Sequence, residues 1–162
     1  MFKNTVGFSV LALLIAVTGS ALATPGSGAA GTFMARAGFA DPVDIKFKFG
    51  AMPEVIHVPD ARETVMQRIV FAPGGYSGWH SHPGPAVVLV IRGELTLYSG
   101  DDPSCVGQPY AAGQAFVDSG QGHVHLAQNL AAEETEVWVT YFDVPSGGSV
   151  RTDEASPGFC PF

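Results

Sequence analysis

Charge is what this sequence has least of: 14% of its 162 residues are Asp, Glu, Lys or Arg, and eight basic residues face fifteen acidic ones. The formal net charge of −7 repels phosphate backbones and anionic lipid headgroups, which argues against nucleic acid as a partner. A sustained 3.6-residue hydrophobic period is also missing, so no amphipathic helix is expected. No internal repeat is long enough for a solenoid or a propeller. The Asp101-Asp102 pair lacks the rest of a calcium-loop pattern. Cysteine occurs twice, at Cys105 and Cys160, and not in the first 23 residues, so lipid attachment there is not indicated.

What is present begins with one basic residue, Lys3, an apolar run from Val6 to Val17, and the small residues Gly19-Ser20-Ala21-Leu22-Ala23. These are the three parts of a secretory signal peptide with an Ala-x-Ala cleavage site, and cleavage is expected after Ala23. Residues 1–23 are therefore assigned as the signal peptide, and the mature chain as periplasmic or secreted, with no membrane association once the leader is gone. Taking 23 residues from 162 leaves 139, the size of one domain with one core. Residues 24–43, rich in Gly and Ala, read as a flexible lead-in. The domain is expected over 44–145, followed by a Pro- and Gly-rich tail over 146–162. In an oxidising compartment a Cys105–Cys160 disulfide would fasten that tail to the body.

The body reads as β-structure. Ile45, Phe47 and Phe49 alternate with Lys46 and Lys48, the period of a half-buried strand. Apolar runs over Glu63–Phe71, Ala115–Asp118, His123–Leu126 and Val137–Val144 are bounded by Gly, Asn, Asp or Pro. Ala86–Ile91 and Leu95–Tyr98 predict a hairpin turning at Arg92-Gly93, its first strand buried on both faces. Short strands among twenty Gly and twelve Pro indicate an all-β sandwich or barrel.

Four of the five histidines form two His-x-His pairs, His80-Ser81-His82 and His123-Val124-His125. On a strand, residues i and i+2 share a face, so each pair offers two imidazoles to one side of a sheet. That is metal-ligand geometry, and imidazole suits Zn, Fe, Cu and Ni. By strand parity alone, either or both members of the second pair qualify. Tyr76 and Trp79 could stack on a ligand, although aromatics beside a barrel strand more often serve packing. No general base or other catalytic residue can be nominated.

These residues carry a resemblance. Gly74, then His80-x-His82, then an apolar run ending at Gly93 resembles the first motif of the cupin superfamily. Gly113 followed by Gly122-x-x-His125-x-x-x-Asn129 resembles the second. The resemblance implies a cupin-type jelly-roll β-barrel in which His80, His82 and His125 hold one divalent ion (Fe, Zn, Mn, Cu or Ni), and in which His123 is not a ligand position; if Gly120-Gln121-Gly122 forms the turn before its strand, His123 sits at the strand's edge near the barrel mouth, where it could touch substrate. It also implies a small-molecule ligand and, as is common among cupins, a homodimer. Two departures stand out. The family's Glu, four or five residues after the second histidine, is replaced by Ala86 and Val87, and the Pro of the second motif gives way to Ser119 or Gly120. Three neutral ligands leave the metal its full charge, which favours an anion, and they resemble the three-histidine sites of some cupin dioxygenases. Two functions follow as expectations: a metal-dependent, dioxygenase-like enzyme acting on a small molecule, or a non-catalytic cupin that captures a metal or small ligand.

Overall fold

The computed structural model describes residues 23–48 and 55–161. Residues 1–22 of the expected 1–23 leader, and Phe49 of the expected first strand, lie outside the described residues. Ten strands follow in chain order: β1 Ser27–Lys48, β2 Val55–Tyr76, β3 His80–Ser81, β4 Ala86–Arg92, β5 Glu94–Ser99, β6 Gln108–Ala111, β7 Ala115–Asp118, β8 His125–Gln128, β9 Thr135–Val144 and β10 Thr152–Asp153. No helix occurs among the described residues. One sheet runs β1, β2, β9, β4, β7, and the other runs β10, β3, β8, β5, β6. They join where Tyr76 at the end of β2 pairs with Gln128 of β8. All pairings are antiparallel, and the strands form a nearly closed barrel, the all-β jelly roll that the sequence predicts.

β9 shows why these residues build a wall. Thr135, Val137, Val139 and Tyr141 point inward and are buried, whereas Trp138 between them is exposed. β-Branched side chains suit this pleated, half-buried surface. From the facing strands Val65, Phe71, Val88, Val90 and Leu95 complete one core, each buried valine contributing about 1.5–3 kcal/mol. A second cluster of Trp79, Leu126 and Cys160 packs with Tyr76, Tyr98, Cys105 and Val124.

Four local expectations need correction. The residues expected as a flexible lead-in, 24–43, are paired: β1 runs from Ser27 and lies against β2 from Ala29↔Phe71 to Gly38↔Glu63 and beyond. Backbone pairing makes this strand without an apolar pattern, so composition could not reveal it. The turn at Arg92-Gly93 does not make a hairpin. β4 pairs with β7 and β9, whereas β5 pairs with β6 and β8, so this turn carries the chain from one sheet to the other. Nor is β4 buried on both faces: Ala86, Val88 and Val90 are inside while Leu89 and Ile91 are exposed. Finally, the tail is not separate from the domain. β10 pairs with β3, Val150 is buried in the main core, and Cys105 and Cys160 are disulfide-bonded with Cα atoms 5.5 Å apart.

Candidate metal centre

The site is built where two short strands meet. His80 opens β3 and pairs in register with His125, the first residue of β8. His82 follows two residues after His80 and returns to the same face. All three rings are buried, with centroids 4.8 Å apart for His80 and His82, 4.3 Å for His80 and His125, and 5.0 Å for His82 and His125. One ring nitrogen from each lies within 4.8 Å of the others.

Backbone carbonyls set the tautomers. His80 Nδ1 donates to the Gly78 carbonyl at 2.9 Å, and His82 Nδ1 donates to that of Val150 at 2.7 Å. When Nδ1 carries the proton of a neutral imidazole, Nε2 keeps the lone pair that a metal needs. Neutrality itself follows from burial, which lowers the pKa of His80 and His82, while the neighbouring imidazoles lower that of His80 further. Burial likewise brings His125 down to about 4. Metal ligation requires unprotonated imidazole, so the donor set fits a divalent ion.

The rings open on a cavity of about 140 Å³ whose wall includes Val88, Leu95, Phe116 and Val139 as apolar members. Its polar members are Gln67, Ser77, Asp118, Tyr141 and Arg151. Tyr141 donates its hydroxyl to Gln67 Oε1 at 3.1 Å, and burial pushes its pKa up. Arg151 Nη2 donates to the Ser77 carbonyl at 3.1 Å and to Asp153. Asp118, 3% exposed, carries opposing influences. Burial raises its pKa, but the hydrogen bond from His123, with the imidazoles packed around the carboxylate, outweighs that and leaves it lowered.

The other expected site residues are not on the cavity wall. His123 precedes β8 rather than belonging to it, because its N–H closes a turn onto the Gly120 carbonyl at 3.0 Å. Strand parity therefore does not apply to it. Its Nδ1 donates to Asp118 Oδ1 at 2.8 Å, its Nε2 lies 3.1 Å from Ser99 Oγ, and the Asp118 contact raises its pKa. Trp79 is adjacent to the inward His80 and so points to the opposite side, where it and Tyr76 join the cluster around Leu126 and the disulfide. Neither aromatic is among the described residues that line the cavity.

Sequence reasoning missed Asp118, Arg151, Tyr141 and Gln67. A signal existed for Asp118: it alternates with Phe116 on β7, so an inward Phe116 brings the carboxylate inward. For Arg151, set in a tail of irregular composition, there was none.

Comparison with known proteins places this geometry in context. A family model for the cupin domain matches residues 67–141. No curated protein matches the chain. Among solved structures, oxalate oxidase is similar at 28% identity over 49% of this chain, with a TM-score of 0.43. This chain covers 41% of that enzyme, less than half its length. A cupin-like protein from Thermotoga maritima shares 24% identity, covers 57% of this chain and 65% of its own, and has a TM-score of 0.46. The polyketide cyclase RemF from Streptomyces resistomycificus shares 18% identity over 48% of this chain and 52% of its own, with a TM-score of 0.42. The matched residues run from within β2 into β9 and include all three converging histidines, so over this stretch the chain is similar to the cupin domain.

Proposed function

We propose that this chain is an exported metal-binding cupin in which Nε2 atoms of His80, His82 and His125 hold one divalent ion, and that it acts on a small molecule admitted to the cavity. The observation that carries the reading is three buried imidazoles, held neutral, with donor atoms within 4.8 Å of one another. Once bound, such an ion supplies Lewis acidity and open coordination positions and, if iron, copper or manganese, redox chemistry with dioxygen. The protein's own part is to keep three lone pairs aimed together, to surround them with an apolar wall, and to set Arg151 and Asp118 at that wall.

Metal content of purified variants tests the ligand set. His80→Ala, His82→Ala and His125→Ala should each lose tight binding, because two imidazoles rarely retain an ion that needs at least three protein ligands. His123→Ala should keep the metal. Loss in His123→Ala with retention in His125→Ala would overturn this assignment, and metal retained by all four variants would remove the site.

A dioxygenase-like enzyme is the first functional reading, supported by the open coordination that a three-histidine set leaves. A binding protein that captures a metal or small ligand is the second. Redox-active metal in protein purified from its host, together with oxygen consumption dependent on a small molecule, supports the enzyme. Zinc, or no metal, without turnover supports the binder. Export rests on the leader pattern. Thr24, the expected first mature residue, ties its backbone N to the Glu154 carbonyl at 3.0 Å, so cleavage there leaves the barrel's strands whole. Intact mass beginning at Thr24 checks it, and retention of residues 1–23 would defeat the assignment.

A further inference from the structure

We infer that Asp118 supplies the carboxylate that the three-histidine centre otherwise lacks, acting through His125 as a positioning residue; this rests on the metal site proposed above. The strand register carries the inference. Asp118 pairs directly with Ala86 across β7 and β4, and Ala86 is one of the two positions left without a carboxylate in the sequence motif. The negative charge absent from β4 therefore stands on the neighbouring strand, opposite that position, with its side chain on the same cavity wall as the triad.

Its contacts are specific. Asp118 Oδ1 lies 3.4 Å from His125 Nδ1 and accepts from His123 Nδ1 at 2.8 Å, while Oδ2 accepts from the Gly120 backbone N–H at 3.0 Å. The triad is thus asymmetric. His80 and His82 donate Nδ1–H to uncharged carbonyls, whereas His125 has a carboxylate at Nδ1 in addition to the His123 carbonyl at 3.3 Å. A carboxylate behind a ligating histidine raises the basicity of the other ring nitrogen, fixes its orientation, and typically changes metal affinity by about 10–100-fold. His123 and the Gly120 N–H hold Asp118 from the far side and keep it turned toward His125.

The test uses Zn²⁺ and Co²⁺ alone on the full mature chain. Asp118→Asn keeps the shape and removes the charge. Competition with a chromophoric chelator should show Zn²⁺ bound about 10–100-fold more weakly, and the visible bands of the Co²⁺ protein should shift. His123→Ala, which removes one of the groups that hold Asp118 but leaves its charge, should fall between wild type and Asp118→Asn, and Asp118→Glu, which restores the charge, should recover most of the affinity. Wild-type Zn²⁺ affinity in a folded Asp118→Asn protein overturns the inference, as does an equal loss in His123→Ala. Should Asp118→Asn fail to fold, Asp118→Ser decides: Zn²⁺ bound at least about tenfold more weakly with a shifted Co²⁺ spectrum supports the role, and wild-type affinity in the folded variant removes it. Failure of wild type to bind Zn²⁺ or Co²⁺ would instead remove the metal site on which the inference rests.

Discussion

At His125 burial and chemistry pull in opposite directions: a metal ligand must be neutral, and the interior enforces that at the expense of acid stability. Its pKa falls from 6.5 to about 4 by burial, and His80 and His82 are shifted in the same direction. Below pH 6.5 the unfolded chain therefore takes up protons that the folded chain refuses. The stability these neutral rings permit is present above about pH 6.5 and is lost as pH falls toward 4, at about 1.4 kcal/mol per pH unit for each such group. Urea midpoints of the metal-free protein should decline between pH 7.5 and 5. A flat profile would show that the rings are not desolvated as described. Gly120 offers a second test at this scale. Its φ is +60°, and an added Cβ would sit 1.9 Å from the Gly84 carbonyl oxygen. Gly120→Ala should cost at least about 2 kcal/mol, since left-handed backbone and displaced main chain are both charged to it. It should also weaken Zn²⁺ binding, because the Gly120 N–H helps to hold Asp118. An unchanged melting temperature would contradict the close approach of these two loops.

Among the elements, the C-terminal segment from Val150 to Cys160 contributes most beyond its length. β10 pairs with β3, placing Thr152 opposite Ser81 and Asp153 opposite His80. Ser81 Oγ donates to Glu154 Oε1 at 2.7 Å, and the Val150 carbonyl orients His82. The Cys105–Cys160 disulfide, spanning 55 residues, anchors the end of this segment beside Trp79 and Leu126. Closing such a loop is worth at most about 4 kcal/mol in the chain-entropy model. Cys105→Ser should lower unfolding free energy by about 2–4 kcal/mol, measured by denaturant titration, and reduce Zn²⁺ affinity as the carbonyl behind His82 loses its anchor. Full stability with altered metal binding, or the reverse, would separate these two roles.

For the molecule as a whole, β1 covers what would otherwise be an open edge of β2. It pairs along β2 over Ser27–Lys48, and Ala29 and Gly31 stand in the cavity wall. A chain beginning at Asp44 would keep every histidine yet expose the edge of β2 from Glu63 to Phe71. Exposed strand edges pair with other chains, so this truncation should aggregate, or elute as oligomers on size exclusion, whereas a chain beginning at Thr24 should not. A soluble, metal-competent protein starting at Asp44 would restore the view of residues 24–43 as a dispensable lead-in.

Local pattern by itself determined that the chain is all-β, because period-two alternation reports which side of a strand is buried without reference to its neighbours. It also indicated His80 and His82 on one face, since residues i and i+2 share a side in any strand. The choice of His125 over His123 as the proposed ligand needed the cupin resemblance; in the structure a turn closed by the His123 N–H precedes β8, which starts at His125. Tertiary structure alone decided the rest. The pairing of β4 with β7 and β9 sets Asp118 opposite Ala86, and the return of the tail brings Arg151 and the Val150 carbonyl to residues about seventy positions earlier. Such contacts depend on strand register and chain return, which no local window encodes, because hydrogen bonds between strands are made by backbone atoms common to every residue.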